Sequence, residues 1–371
     1  MKEKNTNRSV SVLIPDGESH ILRYVINCFS QIREIKTYVM SNKKNNAMRY
    51  SRYVHKFSYY AKTDSDLDWI ANINKEIEKH DIDVVMPIFE VGIRALIKHR
   101  DRVLYKDRLG VLPSLSSFDS AINKGLLSRH LDSNNIPNPK SIMVESQKQL
   151  DKIDVLNFPV LIKPLEGFGG GYGIHVFKAK QDIYDHFDKH GFNYANLFQE
   201  YIDGYDIDCS VLCKEGNILA FTIQKGNMIG KNEFAPQIGV DFLYEPELYR
   251  VVESLMKSLN WSGVAHIDMR YDKNDKQFKV IEMNPRFWMS LNASLLAGVN
   301  FPHLYCLASM DEKFERPEYE FMKYINLKGL LLMIRREKSV LLKPGFIINN
   351  TPLKFVLKDP LPIMYKFISK D

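Results

Sequence analysis

The sequence predicts two architectures in series: an open parallel α/β domain over residues 1–112, then an α+β module of antiparallel sheets. Three observations predict it. β-Branched runs alternate with segments of helical apolar spacing through the first third. Beyond a Pro-rich turn at "NIPNPK", paired apolar runs joined by short polar turns take over. A chain of 371 residues that is 45% hydrophobic can bury two or three cores.

In order, "SVSVLIPDGES" reads as a buried strand ending in a turn, and "HILRYVINCFSQI" as a helix. "IKTYVMS" is a second strand, and "SDLDWIANINKEIEKHD" a helix whose acidic first turn suits the helix dipole. "IDVVMPIF" is a strand and "EVGIRALIKHRD" a helix. The turn after the first strand is "PDGES" rather than G-x-G-x-x-G, so no dinucleotide motif supports this domain. "SFDSAINKGLLSRHLDSNNIPNPKS" reads as one helix closed by a turn. Residues 113–203 are expected to form this helical connection plus a first lobe, 204–320 a second lobe, and 321–371 a C-terminal extension.

The formal charge of +6 is mild and no dense basic tract accompanies it. It fits anionic small ligands and gives no case for nucleic acid. Cys28, Cys209, Cys213 and Cys306 form no CxxC pair, which suits reduced thiols. No signal peptide or membrane span is expected, so the expected location is cytoplasmic. A homodimer is left open. The tail "LKGLLLMIRREKSVLLKPGF" is apolar with five basic residues and one acid. It reads as a helix and strand packing on the core, and peripheral membrane contact is not expected.

Four places carry candidate chemistry. The loop "PLEGFGGGYGIHVF" places Gly167, Gly169, Gly170, Gly171 and Gly173 where bare N–H groups can approach phosphate oxygens. No Gly-Lys-Ser/Thr follows, so it is no P-loop, and a plain flexible hairpin is the alternative. Lys163 ends an apolar strand just before this loop, where an anion partner explains it better than a solvent exit. Lys124 by itself reads as a solvated helix lysine. "LFQEYIDGYDIDCSVL" places Gln199 and Glu200 at a strand end, then Ile202, with Asp206 and Asp208 on one face of the next strand. That is either a half-exposed hairpin or a hinge offering groups to a nucleoside.

The fourth place is a pair of strands. His266, Asp268 and Arg270 share one face of the first; Val280, Glu282 and Asn284 share one face of the second. A three-residue loop, Asn274–Lys276, sets Asp268 opposite Glu282; a two-residue loop would pair Asp268 with Ile281. Facing carboxylates repel, so the pair asks for Mg²⁺, or for neutralisation by Arg270 or a lysine. Asn284 can add a carbonyl oxygen, and Arg286 a forked donor for phosphate or carboxylate. His99-Arg100-Asp101 has neither the following Asn nor the DFG of a kinase, and neither GxSxG nor HExxH occurs.

The ordered set of helix lysine, strand lysine, Gly-rich flap, Gln-Glu hinge and acidic strand pair resembles the ATP-grasp superfamily. "IEMNPRFWMSLNASLLAGVNFP" is similar to its biotin carboxylase and carbamoyl phosphate synthetase side, and to carboligases described as carboxylate-amine ligases. The resemblance implies a pre-ATP-grasp domain followed by a two-lobed ATP-grasp module. It implies that Lys124 and Lys163 contact ATP phosphates under a flap containing Gly169, Gly170 and Gly171. Gln199, Glu200 and Ile202 would frame the adenine. Asp206, where a glutamate is usual, would meet the ribose. Asp268, Glu282 and Asn284 would hold one or two Mg²⁺, with Mn²⁺ as a substitute. Arg286 and Lys163 would serve catalysis, Arg286 by steadying an acyl phosphate or substrate carboxylate. The implied activity joins a small-molecule carboxylate to an amine and releases ADP and phosphate. A bicarbonate-dependent carboxylase or carbamoyl-phosphate-type enzyme, and a non-catalytic nucleotide-binding regulator, are the alternatives.

Overall fold

A computed structural model describes residues 8–165, 173–230 and 235–369. Strands β1 (Val10–Ile14), β2 (Ile35–Ser41), β3 (Lys56–Tyr59) and β4 (Val84–Val85) form a parallel sheet in the order β3-β2-β1-β4. Helices α1 (Leu22–Phe29), α2 (Asp66–His80) and α3 (Glu90–Lys98) alternate with them. Helices on both faces explain why Val12, Leu13 and Ile14 run without a polar break, all fully buried. Helix α2 begins where the Ser65 side chain accepts the Asp68 N–H, and ends at Asp81 in the left-handed region. At the end of β1, the Asp16 carboxylate accepts the backbone N–H groups of Ile88 and Phe89 and so ties β1 to the start of α3. Burial pushes the Asp16 pKa up to about 7.

The single helix expected next is two. α4 (Leu115–Ile122) and α5 (Lys124–Ser133) are broken at Asn123, whose side chain accepts the N–H groups of Gly125 and Leu126. An asparagine that caps outcompetes helix continuation, because it satisfies donors a helix start leaves open. The break sets Lys124 at the first position of α5.

The first lobe is an antiparallel sheet of β5 (Ser141–Val144), β6 (Val160–Pro164), β7 (His175–Phe177) and β8 (Asn196–Glu200), in the order β5-β8-β6-β7, with α6 (Lys180–His190). Its own core joins Val160, Ile162, Phe187 and Phe198. The second lobe has β9 (Gly204–Lys214), β10 (Asn217–Met228), β11 (Gly239–Leu243), β12 (Gly263–Asp272) and β13 (Gln277–Asn284), backed by α7 (Pro246–Ser258). Helices α8 (Leu291–Leu296) and α9 (Phe301–Ser309) lead to β14 (Lys323–Ile325), which completes the order β13-β12-β9-β10-β11-β14. The segment expected as an extension from residue 321 thus supplies an edge strand of this sheet, followed by α10 (Leu327–Arg336), α11 (Pro344–Asn350), α12 (Leu353–Lys358) and α13 (Leu361–Ile368). Gly204 sits where the lobes join; a Cβ there would lie 1.6 Å from the Tyr271 carbonyl oxygen, so only glycine fits.

Asp268 does pair with Glu282, but not by the expected route. Asp272 pairs with Gln277, which leaves a loop from Lys273 to Lys276, one residue longer than expected. A regular ladder from that loop would set Ile281 against Asp268. A bulge between Val280 and Glu282 absorbs the extra residue and restores the pairing. It also switches the alternation. Phe278, Val280 and Met283 are buried, while Glu282 and Asn284 lie on the other face. Val280 therefore does not share a face with Glu282. Because Val280 packs in the core, Val280→Ala should cost about 2 kcal/mol in urea unfolding. A cost indistinguishable from zero would contradict this placement.

Candidate active site

The register of the second sheet lines up four polar side chains across four neighbouring strands. Gln224 on β10 pairs with Asp208 on β9, Asp208 with Asp268 on β12, and Asp268 with Glu282 on β13. A second row runs beside it: Thr222, Ser210, His266 and Asn284. Both rows exist because polar residues alternate with Ile207, Cys209, Ala265, Ile267 and Met269, which point into the core.

The first row gathers negative charge where water is scarce. Burial, with Asp206 adding repulsion, raises the Asp208 pKa to about 7. Burial pushes Asp268 well above the ordinary carboxylate value, and Asp208 and Glu282 add to it. Two-fifths of the Asp268 side chain still meets solvent. That solvent screens part of the repulsion. Asp208, His266 and Asp268 bring ligand atoms within 4.8 Å of one another. Three carboxylates and an imidazole, two of the acids with raised pKa values, form a donor set that fits a hard divalent cation.

His266 is neutral at pH 7. Burial, reinforced by Arg286, lowers its pKa to about 3. Its Nδ1 lies 2.9 Å from the Ser210 hydroxyl, its Nε2 lies 3.2 Å from Asp268, and its ring stacks on buried Trp288. Sequence reasoning left Asp208, His266 and Gln224 out of the site. Alternation had placed Asp208 beside Asp206 and His266 beside Asp268, which is the signal that was there to use.

The cations come from the first lobe and from α5. Lys163 is 5% exposed and donates to Gln199 Oε1 at 2.6 Å; Gln199 in turn donates to Ser141. Burial lowers the Lys163 pKa to about 8, with Glu282 and Asp268 opposing the fall. Lys124 lies 3.5 Å from Glu282. It is no solvated helix lysine: the break at Asn123 turns it into the site.

The remaining expected residues are engaged as follows. Glu200 accepts the backbone and side-chain N–H groups of Asn157. Ile202 is buried, and its carbonyl accepts the Arg270 Nε–H. Asp206 pairs with Arg270 at 2.6 Å. Asn284, chosen for its carbonyl, donates its amide N–H to Asp268 and accepts at its oxygen from Arg286. Arg286 also reaches Glu90 on α3 at 3.0 Å, fastening the N-terminal domain to the site. Gly169, Gly170 and Gly171 lie outside the described residues.

Two cavities lie elsewhere in the structure, neither lined by residues of the rows. One of about 460 Å³ opens at the C-terminal ends of the parallel strands, between Asp16, His20, Lys43, Trp69 and Phe89. The other, about 630 Å³, lies between α1, β11 and the tail helices and reaches Ser290, which accepts a hydrogen bond from Gln224.

Residues 121–290 match the family described as ATP-grasp domain. The chain carries an ATP-grasp domain. Every candidate residue from Lys124 to Arg286 falls inside the matched ATP-grasp segment. The chain is 25% identical over 205 residues to a D-alanine–D-alanine ligase of Anaplasma marginale, covering 50% of this chain and 60% of that one. It is 22% identical over 227 residues to a D-aspartate ligase of Enterococcus faecium, covering 55% of this chain and 53% of that one. The structure of N5-carboxyaminoimidazole synthetase from Staphylococcus aureus complexed with ADP superposes with a TM-score of 0.70 at 16% identity, covering 91% and 88% of the two chains. At that identity the likeness speaks for the fold, a parallel N-terminal sheet followed by the two ATP-grasp lobes.

The crowded acids yield a prediction. A carboxyl whose folded pKa is raised loses stability as pH climbs above its ordinary value of 3.8. Asp268→Asn removes that loss. In urea unfolding without metal, the variant should match the wild type near pH 4 and exceed it by about 1 kcal/mol at neutral pH, after allowance for solvent screening. Added Mg²⁺ should stabilise only the wild type. A destabilised variant, with no Mg²⁺ effect on the wild type, would count against the cation site.

Proposed function

We propose that this chain is an ATP- and Mg²⁺-dependent ligase that activates a small-molecule carboxylate as an acyl phosphate and joins it to an amine. A carboxylate is a poor electrophile. Transfer of the γ-phosphoryl group to its oxygen gives a mixed anhydride and ADP. The amine nitrogen then attacks the carbonyl carbon and phosphate leaves, so acid, amine and ATP become amide, ADP and phosphate.

The observation that carries this reading is the row Asp208, Asp268 and Glu282 faced by Lys163 and Lys124. Acids on one side, with buried Lys163 and half-buried Lys124 on the other, suit a polyanion that arrives with its own cation. Lys163, with a pKa of about 8, stays mostly protonated at neutral pH and is aimed by Gln199. Bound Mg²⁺, held by Asp268 and Glu282 with Asp208 and Asn284 beside them, would neutralise charge on the phosphates. Lys124 and Lys163 would hold the phosphates, and Gly169–Gly171 would cover them. Gln199, Glu200 and Ile202 would border the adenine, and Asp206 the ribose. Arg286, set by Glu90 and Asn284, would steady the transferred phosphoryl or the substrate carboxylate. The larger cavity, next to Ser290, is a fitting place for the amine. Two relatives named as D-alanine–D-alanine and D-aspartate ligases favour amino acids as the first compounds to try.

Supplied with a panel of amino acids and small amines, the protein should release ADP and phosphate; AMP and pyrophosphate would overturn the reading. Glu282→Gln should lower that turnover by about 100-fold or more while the circular dichroism spectrum and melting temperature hold. Wild-type turnover in the variant would remove Glu282 from the site.

A further inference from the structure

The positive charge of this chain is not spread along it. Residues 326–371 hold nine lysines and arginines against three acids, an excess of six, which is the excess of the whole chain; residues 1–325 are balanced. Of the two acids among the described residues of this segment, Asp359 is buried and accepts hydrogen bonds from Ser51 and Arg52 of the N-terminal domain. Only Glu337 remains at the surface, against exposed Lys328, Arg335, Arg336, Lys338, Lys343, Lys358 and Lys366 in the same segment.

The same segment exposes large aliphatic side chains. Leu342 is 83% exposed, Ile368 78%, Leu357 64%, Leu331 58%, Leu361 54% and Met364 52%. They fall in order. Leu361, Met364 and Ile368 stand at i, i+3 and i+7, one stripe along α13. Lys328, Leu331 and Arg335 make the same spacing on α10, and Leu357 adjoins Lys358 on α12. Other side chains of this segment are spent on the protein: Tyr365 packs on Tyr50 at 4.6 Å, Phe355 and Pro362 are buried, and Asn350 bonds to the Lys323 carbonyl. The stripe is therefore held facing outward.

We propose that the surface of α10–α13 docks on an anionic lipid bilayer, with the aliphatic stripe in the headgroup–acyl boundary and the lysines and arginines on the lipid phosphates. The proposal departs from the expectation of a tail that only packs on the core. The chemistry selects this occupant. Leucines flanked by long cations are what an interfacial helix needs, since the cations reach phosphate while their stems cover hydrocarbon. A nucleic acid would match the charge and leave the aliphatic side chains without a partner. A second copy would match the stripe and set six excess positive charges against six more. The contact is peripheral: no helix among the described residues is long and apolar enough to cross a membrane. The surface lies outside the candidate catalytic rows and stands independently of the ligase reading.

The test is co-sedimentation of the full chain with vesicles of phosphatidylcholine, with and without about one-third phosphatidylglycerol. The chain should pellet with the anionic vesicles at low salt, should not pellet with phosphatidylcholine alone, and should lose about 10-fold in affinity at high salt. A triple variant, Leu357→Ser, Met364→Ser and Ile368→Ser, changes only exposed side chains and should keep its melting temperature. It should bind anionic vesicles about 10-fold more weakly or worse. Failure of the wild type to pellet with anionic vesicles at low salt would overturn the proposal. So would a variant that binds like the wild type, or a wild-type dimer that the variant turns into a monomer.

Discussion

Three carboxylates on neighbouring strands, Asp208, Asp268 and Glu282, repel one another, and only positive charge beside them relieves that repulsion. That constraint organises the rest of the site. The β9–β12 and β12–β13 registers bring the acids together, and nothing in the ladder alone relieves their repulsion. The protein holds compensating charge at short range: Lys124 beside Glu282, Lys163 across the cleft, Arg286 at the end of the strand. None of these forms a close bidentate pair with Asp268. The arrangement leaves the acids partly unsatisfied, which costs stability and prepares them for a cation.

Several features of the fold serve to hold that arrangement. The bulge at Ile281 converts a four-residue loop into the register the acids need, and in the same step turns Val280 and Met283 into the core. Asn123 ends one helix and starts the next, which is what points Lys124 at Glu282. Arg286 reaches out of the acid site to Glu90 at the start of α3, and Asp16 ties that start to β1. A displacement of the N-terminal domain would therefore be felt at the site through one guanidinium. Trp288, buried and stacked on His266, fixes the imidazole against Asp268 from behind.

Much of this was legible in the sequence. Period-two alternation placed Asp268, His266 and Arg270 on one face, and the strand–helix alternation gave the parallel domain. Lys163 stood out because a lysine closing an apolar strand needs an anion. What stayed hidden is what strand pairing alone decides. Nothing local in "DKNDKQFKVIE" says whether its loop has three residues or has four with a bulge, since both end with Glu282 opposite Asp268. Asp208 was visible as an alternating acid, yet its membership of the row depends on which residue of β12 it meets. Asn284 was read for its carbonyl, but its neighbours decide the pairing: its N–H goes to Asp268 and its oxygen to Arg286. The outward-facing leucines of α10–α13 could not be separated from core leucines by composition, because only packing shows which side of a short helix is covered.

The account rests on a divalent cation between the acids of β12 and β13. The most direct measurement is anomalous diffraction from crystals grown with Mn²⁺ and ADP, recorded at the manganese edge. A manganese peak within bonding distance of both Asp268 and Glu282, on the cleft side of the sheet, is the expected result. A map with ADP bound but manganese elsewhere, and Asp268 paired only to His266 and Asn284, would contradict it.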